Sequence, residues 1–112
     1  MDIRFVYMTA GSKEEATKIA RELVARRLTA CVNMIDPMQS VYWWDGAVQE
    51  DREVALIAKT TEARMPELID SVTSLHSYDC PCIVSLPVSG GNAEFLEWIA
   101  GETDPGLAGH ET

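Results

Sequence analysis

Basic residues are scarce in this chain of 112 residues, which has nine Lys and Arg against 18 Asp and Glu. The formal charge of −9 argues against binding to nucleic acid or to anionic membranes, because phosphate groups require clustered Lys and Arg. The same balance is compatible with cationic partners, including metal ions. No stretch approaches the roughly eighteen apolar residues of a membrane span. The N-terminus lacks the basic and apolar segments of a secretory signal, so we expect a cytoplasmic protein.

Cysteine is also scarce, with three residues in the chain. An odd number does not make a disulfide framework, and reduced thiols are usual in the cytosol. The sequence likewise lacks a nucleophile-elbow serine motif, a zincin motif, a P-loop and the Rossmann glycine pattern. We therefore expect a protein that is not an enzyme.

Residues 40–59 contain the most informative pattern, which is two alternating runs on either side of Asp45-Gly46. This dipeptide favours a type I′ turn, because both central residues of that turn need positive φ. The pattern predicts a long β-hairpin with Trp43 and Trp44 near its tip, on opposite faces. Such an apolar arm overhangs a small domain and suggests a partner chain. The tryptophans are candidates either for anchoring that interface or for stacking a ligand.

The remaining periodicity predicts an α+β fold of the ferredoxin-like βαββαβ type, with both long helices on one face of an antiparallel sheet. The predicted elements are a strand over residues 3–9, a helix capped by Ser12, a strand over 30–35 with a bend at Asp36-Pro37, the hairpin, a helix capped by Thr60-Thr61, a strand over 82–88 and a short helix over 93–100. Residues 1–101 form the predicted domain and 102–112 a flexible acidic tail. The strands are apolar on both faces, so a sheet covered on one face requires another subunit.

Two thiols close in sequence, Cys80 and Cys82, are the main candidates for metal binding. In a strand, residues two apart point to the same side. His76 lies four residues earlier, and Cys31 could approach from another strand. Thiolates and imidazole are ligands that Cu(I) and Zn²⁺ prefer. The alternatives are small buried core residues for the cysteines and a cation at a helix C-terminus for His76.

Two charged segments are weaker candidates. Residues 49–53 are rich in carboxylates, of which Asp51 and Glu53 share a strand face and could bind a divalent ion. A charged, solvated hairpin edge is the alternative. Lys59, Thr60 and Arg64 form a cationic cluster that could bind a small anion, or could pair with nearby acids on the surface.

The chain resembles the CutA family of divalent-cation tolerance proteins over residues 3 to about 100. The resemblance rests on fragments in the family's order: LTACVN at 28–33, SVYWWDG at 40–46, VQED at 48–51, Glu53-Val54, KTT at 59–61, Arg64, His76, Tyr78, LPV at 86–88 and Gly91-Asn92. It implies a ferredoxin-like subunit in a tight homotrimer, with an architecture similar to the PII signalling proteins.

The resemblance also implies a function in tolerance to copper and other divalent metals, without an established enzymatic activity. The predicted function is thus a trimeric protein that binds copper or another divalent metal. The alternative is a PII-like signalling module that binds a small anion or a partner protein between subunits. By resemblance, the inter-subunit cleft comprises Cys31, Asn33, Tyr42, Trp44, Glu50, Lys59, Thr60, Arg64, His76 and Tyr78.

The chain departs from the family pattern after the second predicted helix. The family usually has His-Pro-Tyr-Glu, then an aliphatic residue, Pro and Glu. This sequence reads HSYDCPC over residues 76–82, so Cys82 stands where the acidic residue is usual. The change introduces two thiols and could strengthen the binding of soft metals, or it could equally be neutral drift. The expected metal set is Cys31, His76, Cys80 and Cys82.

Overall fold

The fold is taken from a computed structural model, which describes residues 1–108. Its elements are β1 (Ile3–Ala10), α1 (Lys13–Ala25), β2 (Cys31–Trp44), β3 (Ala47–Thr61), a 3-10 turn (Glu62–Arg64), α2 (Met65–Leu75), β4 (Ile83–Pro87), α3 (Ala93–Glu102) and the single turn α4 (Pro105–Ala108). The four strands form one antiparallel sheet in the order β2-β3-β1-β4. This is the predicted ferredoxin-like arrangement. Within residues 1–108, no helix is both long and apolar enough to cross a membrane.

The start of α1 follows the predicted capping pattern in part. The Ser12 hydroxyl accepts a hydrogen bond from the backbone N–H of Glu15 at 3.1 Å, as an N-cap does. The Glu15 carboxylate does not complete a capping box with Ser12. It accepts hydrogen bonds from Ser77 instead, which ties α1 to the segment after α2.

The hydrophobic core lies between the sheet and the two long helices. Its members are Val6, Met8, Ala10, Ala16, Ile19, Ala20, Leu23, Leu28, Val54, Leu56, Ala58, Met65, Leu68 and Val72. The strand members alternate along β1 and β3, so each presents one face of the sheet to the helices. Burial of these side chains is the main source of stability in a domain of this size.

The opposite face of the sheet is largely uncovered within one chain. We call it the open face, and it comprises Phe5, Tyr7, Cys31, Asn33, Ile35, Ala55, Ile57, Lys59, Val84 and Leu86. Ile35, Val84 and Leu86 are each about half exposed. The expectation that the helices cover only one of two apolar sheet faces is thus confirmed.

The hairpin forms as predicted. Asp45 and Gly46 have φ values of 52° and 76°, the left-handed conformations that a type I′ turn requires. A register irregularity between Ile35 and Met38 interrupts the pairing of β2 with β3, and it contains the Asp36-Pro37 bend. The turn and the bulge together let both strands extend well beyond the core.

Two predicted element boundaries are wrong. Thr60 and Thr61 do not cap α2, because β3 continues through Thr61 and the hydroxyl of buried Thr60 donates to the carbonyl of Leu28 at 2.7 Å. Thr61 is instead the N-cap residue of the 3-10 turn, without a side-chain capping hydrogen bond. The β-branched threonines suit this strand, and a 3-10 turn precedes α2 instead. The fourth strand begins at Ile83 rather than at Cys82. Both cysteines of the pair therefore lie in an irregular segment.

Helical structure continues into the first residues of the predicted tail. Asn92 caps α3 as expected, since its side-chain oxygen accepts from the N–H of Glu94 at 3.0 Å. The helix continues to Glu102, whose carboxylate pairs with Arg27 at 2.8 Å, and Thr103 is buried. Of the predicted tail, 102–112, residues 109–112 lie outside the described residues.

The contrast between Leu23 and Val24 on α1 tests this packing. The side chain of Leu23 is fully buried, whereas that of Val24 is 43% exposed although the helical period places it beside the apolar stripe. We expect Leu23→Ala to lower the free energy of unfolding by about 2–5 kcal/mol, because it leaves a cavity in the core. Denaturant titration measures this, with Val24→Ala as the control that changes stability little. Equal losses would contradict the packing described here.

Candidate functional site

A cleft of about 470 Å³ lies between the hairpin and the segment that joins α2 to β4. This volume falls in the range of small-molecule sites in proteins. Its lining combines aromatic, acidic and thiol side chains, contributed by β1, the hairpin and the α2–β4 segment. The lining residues are Thr9, Tyr42, Trp44, Glu53, Ser77, Tyr78, Asp79, Cys80 and Cys82.

Strand alternation selects the hairpin residues that reach the cleft. Tyr42 and Trp44 are two apart on β2, and the register aligns that side of β2 with the odd-numbered side of β3, which includes Glu53. Trp43 lies between them on the opposite face of the hairpin, where its side chain is 74% exposed. The two tryptophans therefore have different surroundings, as the sequence predicts.

The α2–β4 segment is held in place by two carboxylates. The Glu15 carboxylate accepts from both the backbone N–H and the hydroxyl of Ser77, each at 3.1 Å. Across the cleft, the Tyr78 hydroxyl donates to Glu53 at 3.1 Å. Tyr42 makes a matching hydrogen bond from its hydroxyl to the Asp51 carboxylate. The Tyr78–Glu53 hydrogen bond thus joins the two walls of the cleft, whereas the Tyr42–Asp51 hydrogen bond lies within the hairpin.

His76 lies behind the cleft, and its side chain is only 1% exposed. Its Nδ1 accepts a hydrogen bond from the backbone N–H of Tyr78 at 3.0 Å, so the proton is on Nε2, which donates to the carbonyl of Thr9 at 2.7 Å. The imidazole also packs against the Tyr78 ring, with centroids 4.6 Å apart. Both nitrogens are occupied in this arrangement, which makes His76 a positioning residue for Tyr78 and leaves no nitrogen directed at a metal.

The three cysteines lie in two different parts of the structure. Cys80 and Cys82 both line the cleft, the first exposed and the second half-buried. Cys31 lies on the open face, opposite Lys59 in the β2–β3 pairing, and does not line the cleft. Among residues 1–108, no group of three or more His, Cys, Asp or Glu side chains is arranged to hold a metal ion. The predicted four-residue metal set is thus not assembled within one chain.

The electrostatics of the cleft favour the protonated forms of Tyr42, Tyr78 and Cys82. Burial and the hydrogen bond to Glu53 raise the pKa of Tyr78 to about 12. Burial also raises the pKa of the Cys82 thiol, with a further contribution from the Glu53 charge, and hydrogen bonding by Thr9 opposes these effects. The hydrogen bond to Asp51 raises the pKa of Tyr42.

The predicted cationic cluster does not line this cleft. The Lys59 ammonium donates to the side-chain oxygen of Asn33 on the open face. The buried guanidinium of Arg64 pairs with Glu67 at 3.2 Å. Arg64 thus pairs with an acid, as the alternative expected, but its side chain is buried, and the partner of Lys59 is a neutral amide.

Two other residues that the resemblance assigns to the inter-subunit cleft also have no place in the lining. Thr60 is a buried strand residue. Glu50 is opposite Val41 in the register, on the hairpin face away from Tyr42 and Trp44.

Glu53, which the sequence pairs with Asp51 as a candidate for binding a divalent ion, lines the cleft, whereas Asp51 does not. The period-two alternation of β3 places Asp51 and Glu53 on one face, and the hairpin register places that face with Tyr42 and Trp44. Thr9, Ser77 and Asp79 join the lining through tertiary contacts. No local pattern marks these three residues.

The fold and the cleft define a small ferredoxin-like α+β protein with a ligand-sized cleft beside an open sheet face. Comparison with known proteins identifies the family. The family described as CutA1 divalent ion tolerance protein matches residues 4–102. The chain therefore belongs to the CutA1 family, as the resemblance predicted.

Similar proteins come from distant organisms. The divalent-cation tolerance protein CutA of Thermus thermophilus is 45% identical over 98 residues, which cover 88% of this chain and 95% of that protein. A solved structure of the divalent cation tolerance protein from that organism has a TM-score of 0.89 at 44% identity, covering 90% of this chain and 98% of the other.

Protein CutA 1, chloroplastic, of Oryza sativa is 42% identical over 98 residues. These residues cover 88% of this chain but 55% of the rice protein. The chain thus spans about half the length of that relative.

The ionisation of Tyr78 tests the cleft electrostatics. We expect the phenol to ionise near pH 12, well above the ordinary value of 10, because both burial and the Glu53 carboxylate disfavour the phenolate. Measuring tyrosinate absorbance as a function of pH gives this pKa. The Tyr78→Phe variant identifies the part of the absorbance change that comes from Tyr78. Glu53→Gln should lower the pKa of Tyr78, whereas Asp51→Asn should lower that of Tyr42.

The same shift predicts a pH dependence of stability. The raised pKa means that the folded state holds the Tyr78 proton more tightly than the unfolded chain does. The contribution of this group to stability is therefore complete below pH 10 and is lost as pH rises to about 12. An equal fall in the Tyr78→Phe variant would contradict a role for Tyr78.

Proposed function

We propose that the chain is a homotrimeric metal-binding protein, in which Cys80 and Cys82 hold copper in the cleft, and that this binding underlies a function in divalent-metal tolerance. The observation that supports this most directly is the position of both thiols in one acidic cleft with Glu53 and Asp79. Thiolates select soft metals, and the carboxylates and the net charge of −9 attract cations.

The donor set fits a soft ion better than a closed zinc site. Structural zinc is usually four-coordinate, and residues 1–108 of one chain do not assemble even three donors. Two thiols suit Cu(I), for which sulfur is a preferred ligand. When bound, copper would be held by Cys80 and Cys82, and the Glu53 carboxylate would attract the cation into the cleft. The rest of the cleft orients the segment that carries the thiols.

The trimer is supported by the surfaces that one chain leaves uncovered. The open face carries exposed Ile35, Val84 and Leu86, and the hairpin carries exposed Val41 and Trp43. Several exposed apolar side chains on one small domain are typical of protein interfaces. A closed ring of three chains would cover the open face without leaving an unmatched surface.

We further propose that the protein is cytoplasmic and is not an enzyme. All three cysteines are free, as suits a reducing compartment. The buried imidazole of His76 is committed to two backbone groups, so it does not serve as a general base in the cleft. The alternative of a PII-like anion site has less support, because neither Lys59 nor Arg64 lines the cleft.

Copper uptake tests the metal proposal. We expect the reduced protein to bind Cu(I) and the Cys80→Ser/Cys82→Ser double variant to lose that binding, since it removes both soft ligands. Native mass spectrometry at matched concentrations measures the uptake. Cys31→Ser is the control and should bind as the parent does. Unchanged uptake in the double variant would exclude these thiols as ligands, and loss in the control would move the site to the open face.

A charged substitution on the open face tests the proposed trimer. We expect Leu86→Asp to dissociate the trimer, because it buries an unpaired carboxylate in the proposed interface. Val24→Asp, on an exposed position of α1, should leave the trimer intact. Sedimentation equilibrium distinguishes the mass of the trimer from that of the monomer. A parent protein that sediments as a monomer would overturn the proposed assembly.

A further inference from the structure

We infer that the cleft is also a binding site for an organic cation, specifically a quaternary alkylammonium group, held by Tyr42, Trp44 and Tyr78 together with Glu53. This inference does not depend on copper binding, because it uses the aromatic and acidic walls of the cleft rather than its thiols. The ligand class follows from three properties of the lining: its charge, its aromatic surface and its hydrogen-bonding groups.

The charge of the lining selects for a cation. Glu53 and Asp79 are the ionisable acids among the nine lining residues, and no Lys, Arg or His belongs to that set. An anionic ligand would therefore meet two carboxylates without a compensating cation. A neutral ligand would gain no charge–charge attraction from them.

The aromatic surface selects for a weakly hydrated cation. Tyr42, Trp44 and Tyr78 reach the cleft from its two opposite walls, the hairpin and the α2–β4 segment. Aromatic rings attract cations through the negative potential of their faces, and groups of such rings recognise quaternary ammonium ions. The volume of about 470 Å³ leaves ample room for such a group.

The hydrogen-bonding groups point to the same class. The hydroxyls of Tyr42 and Tyr78 already donate to Asp51 and Glu53, and the Ser77 hydroxyl donates to Glu15. A ligand that depended on these hydroxyls as donors would have to break existing bonds. A quaternary ammonium group accepts no hydrogen bonds and donates none, so it can occupy the cleft without disturbing these pairs.

The position of Tyr78 in the cleft is also preorganised before a ligand binds. The His76 ring packs against the Tyr78 ring at a tilt of 52° and accepts from the backbone N–H of Tyr78, and the Tyr78 hydroxyl donates to Glu53. A ring held on three sides loses little conformational freedom on binding. The same hydrogen bond keeps the Glu53 charge adjacent to the aromatic wall.

The test is a calorimetric or NMR titration of the metal-free, reduced, full-length protein with choline. Its neutral isostere, 3,3-dimethylbutan-1-ol, has the same shape without the charge and should bind far more weakly. Ethanolamine keeps the charge but carries N–H donors. It should also bind more weakly than choline. Equal binding of the isostere would overturn the cationic assignment, and tighter binding of ethanolamine would overturn the quaternary one.

Matched variants locate the site. Trp44→Leu should weaken choline binding by roughly two- to thirtyfold, the span expected from loss of one cation–π contact. Trp43→Leu is its control, because Trp43 lies next in sequence but on the opposite hairpin face. Glu53→Gln keeps an acceptor for Tyr78 and should weaken binding by roughly fivefold or more, whereas Glu50→Gln should not change it.

The outcomes separate this inference from the copper proposal. The Cys80→Ser/Cys82→Ser variant should still bind choline while losing copper. Absence of choline binding by the parent protein, or equal effects of Trp43→Leu and Trp44→Leu, would overturn the inference and leave the copper experiment unaffected.

Discussion

A sheet that is apolar on both faces, with helices on only one of them, is the constraint on which the rest of this structure depends. The helices α1 and α2 cover the face that carries Val6, Met8 and Leu56, and the opposite face keeps Ile35, Val84 and Leu86 exposed. Exposed apolar surface of this kind costs free energy in water unless another surface covers it. The long hairpin exposes further apolar surface, because β2 and β3 extend beyond the hydrophobic core of one chain. Assembly of several copies is the simplest solution that uses both features.

The cleft depends on how the α2–β4 segment is fixed beside that sheet. Buried His76 bonds to the backbone of Thr9 and of Tyr78, and Glu15 holds Ser77. These contacts come from β1 and α1, so the core positions the segment directly. Tyr78 then reaches the hairpin through Glu53. The result is a preorganised acidic and aromatic pocket that carries two thiols, which suits cations of more than one kind.

The sequence predicted the fold well because its signals are local and mutually consistent. The Asp45-Gly46 turn, the Ser12 cap and the alternating strands each specify one element, and their order leaves few topologies. The α2 cap predicted at Thr60-Thr61 was misplaced, because pairing with β1 carries β3 through both residues and Thr61 precedes a 3-10 turn instead. The site was harder to predict. His76 looks like a ligand in sequence, and only tertiary contacts reveal that backbone groups occupy both of its nitrogens. Glu53 was accessible from strand alternation, but Thr9 and Asp79 were not.

The most direct test of the central claim is X-ray absorption at the copper edge on the Cu(I)-loaded, full-length protein. This measurement identifies the atoms bound to the metal without reference to which variants remain folded. If Cys80 and Cys82 hold copper in the cleft, the spectrum will require sulfur neighbours, and the sulfur contribution will persist in Cys31→Ser. A spectrum explained by nitrogen and oxygen neighbours alone would contradict the account, because it would place copper away from both thiols.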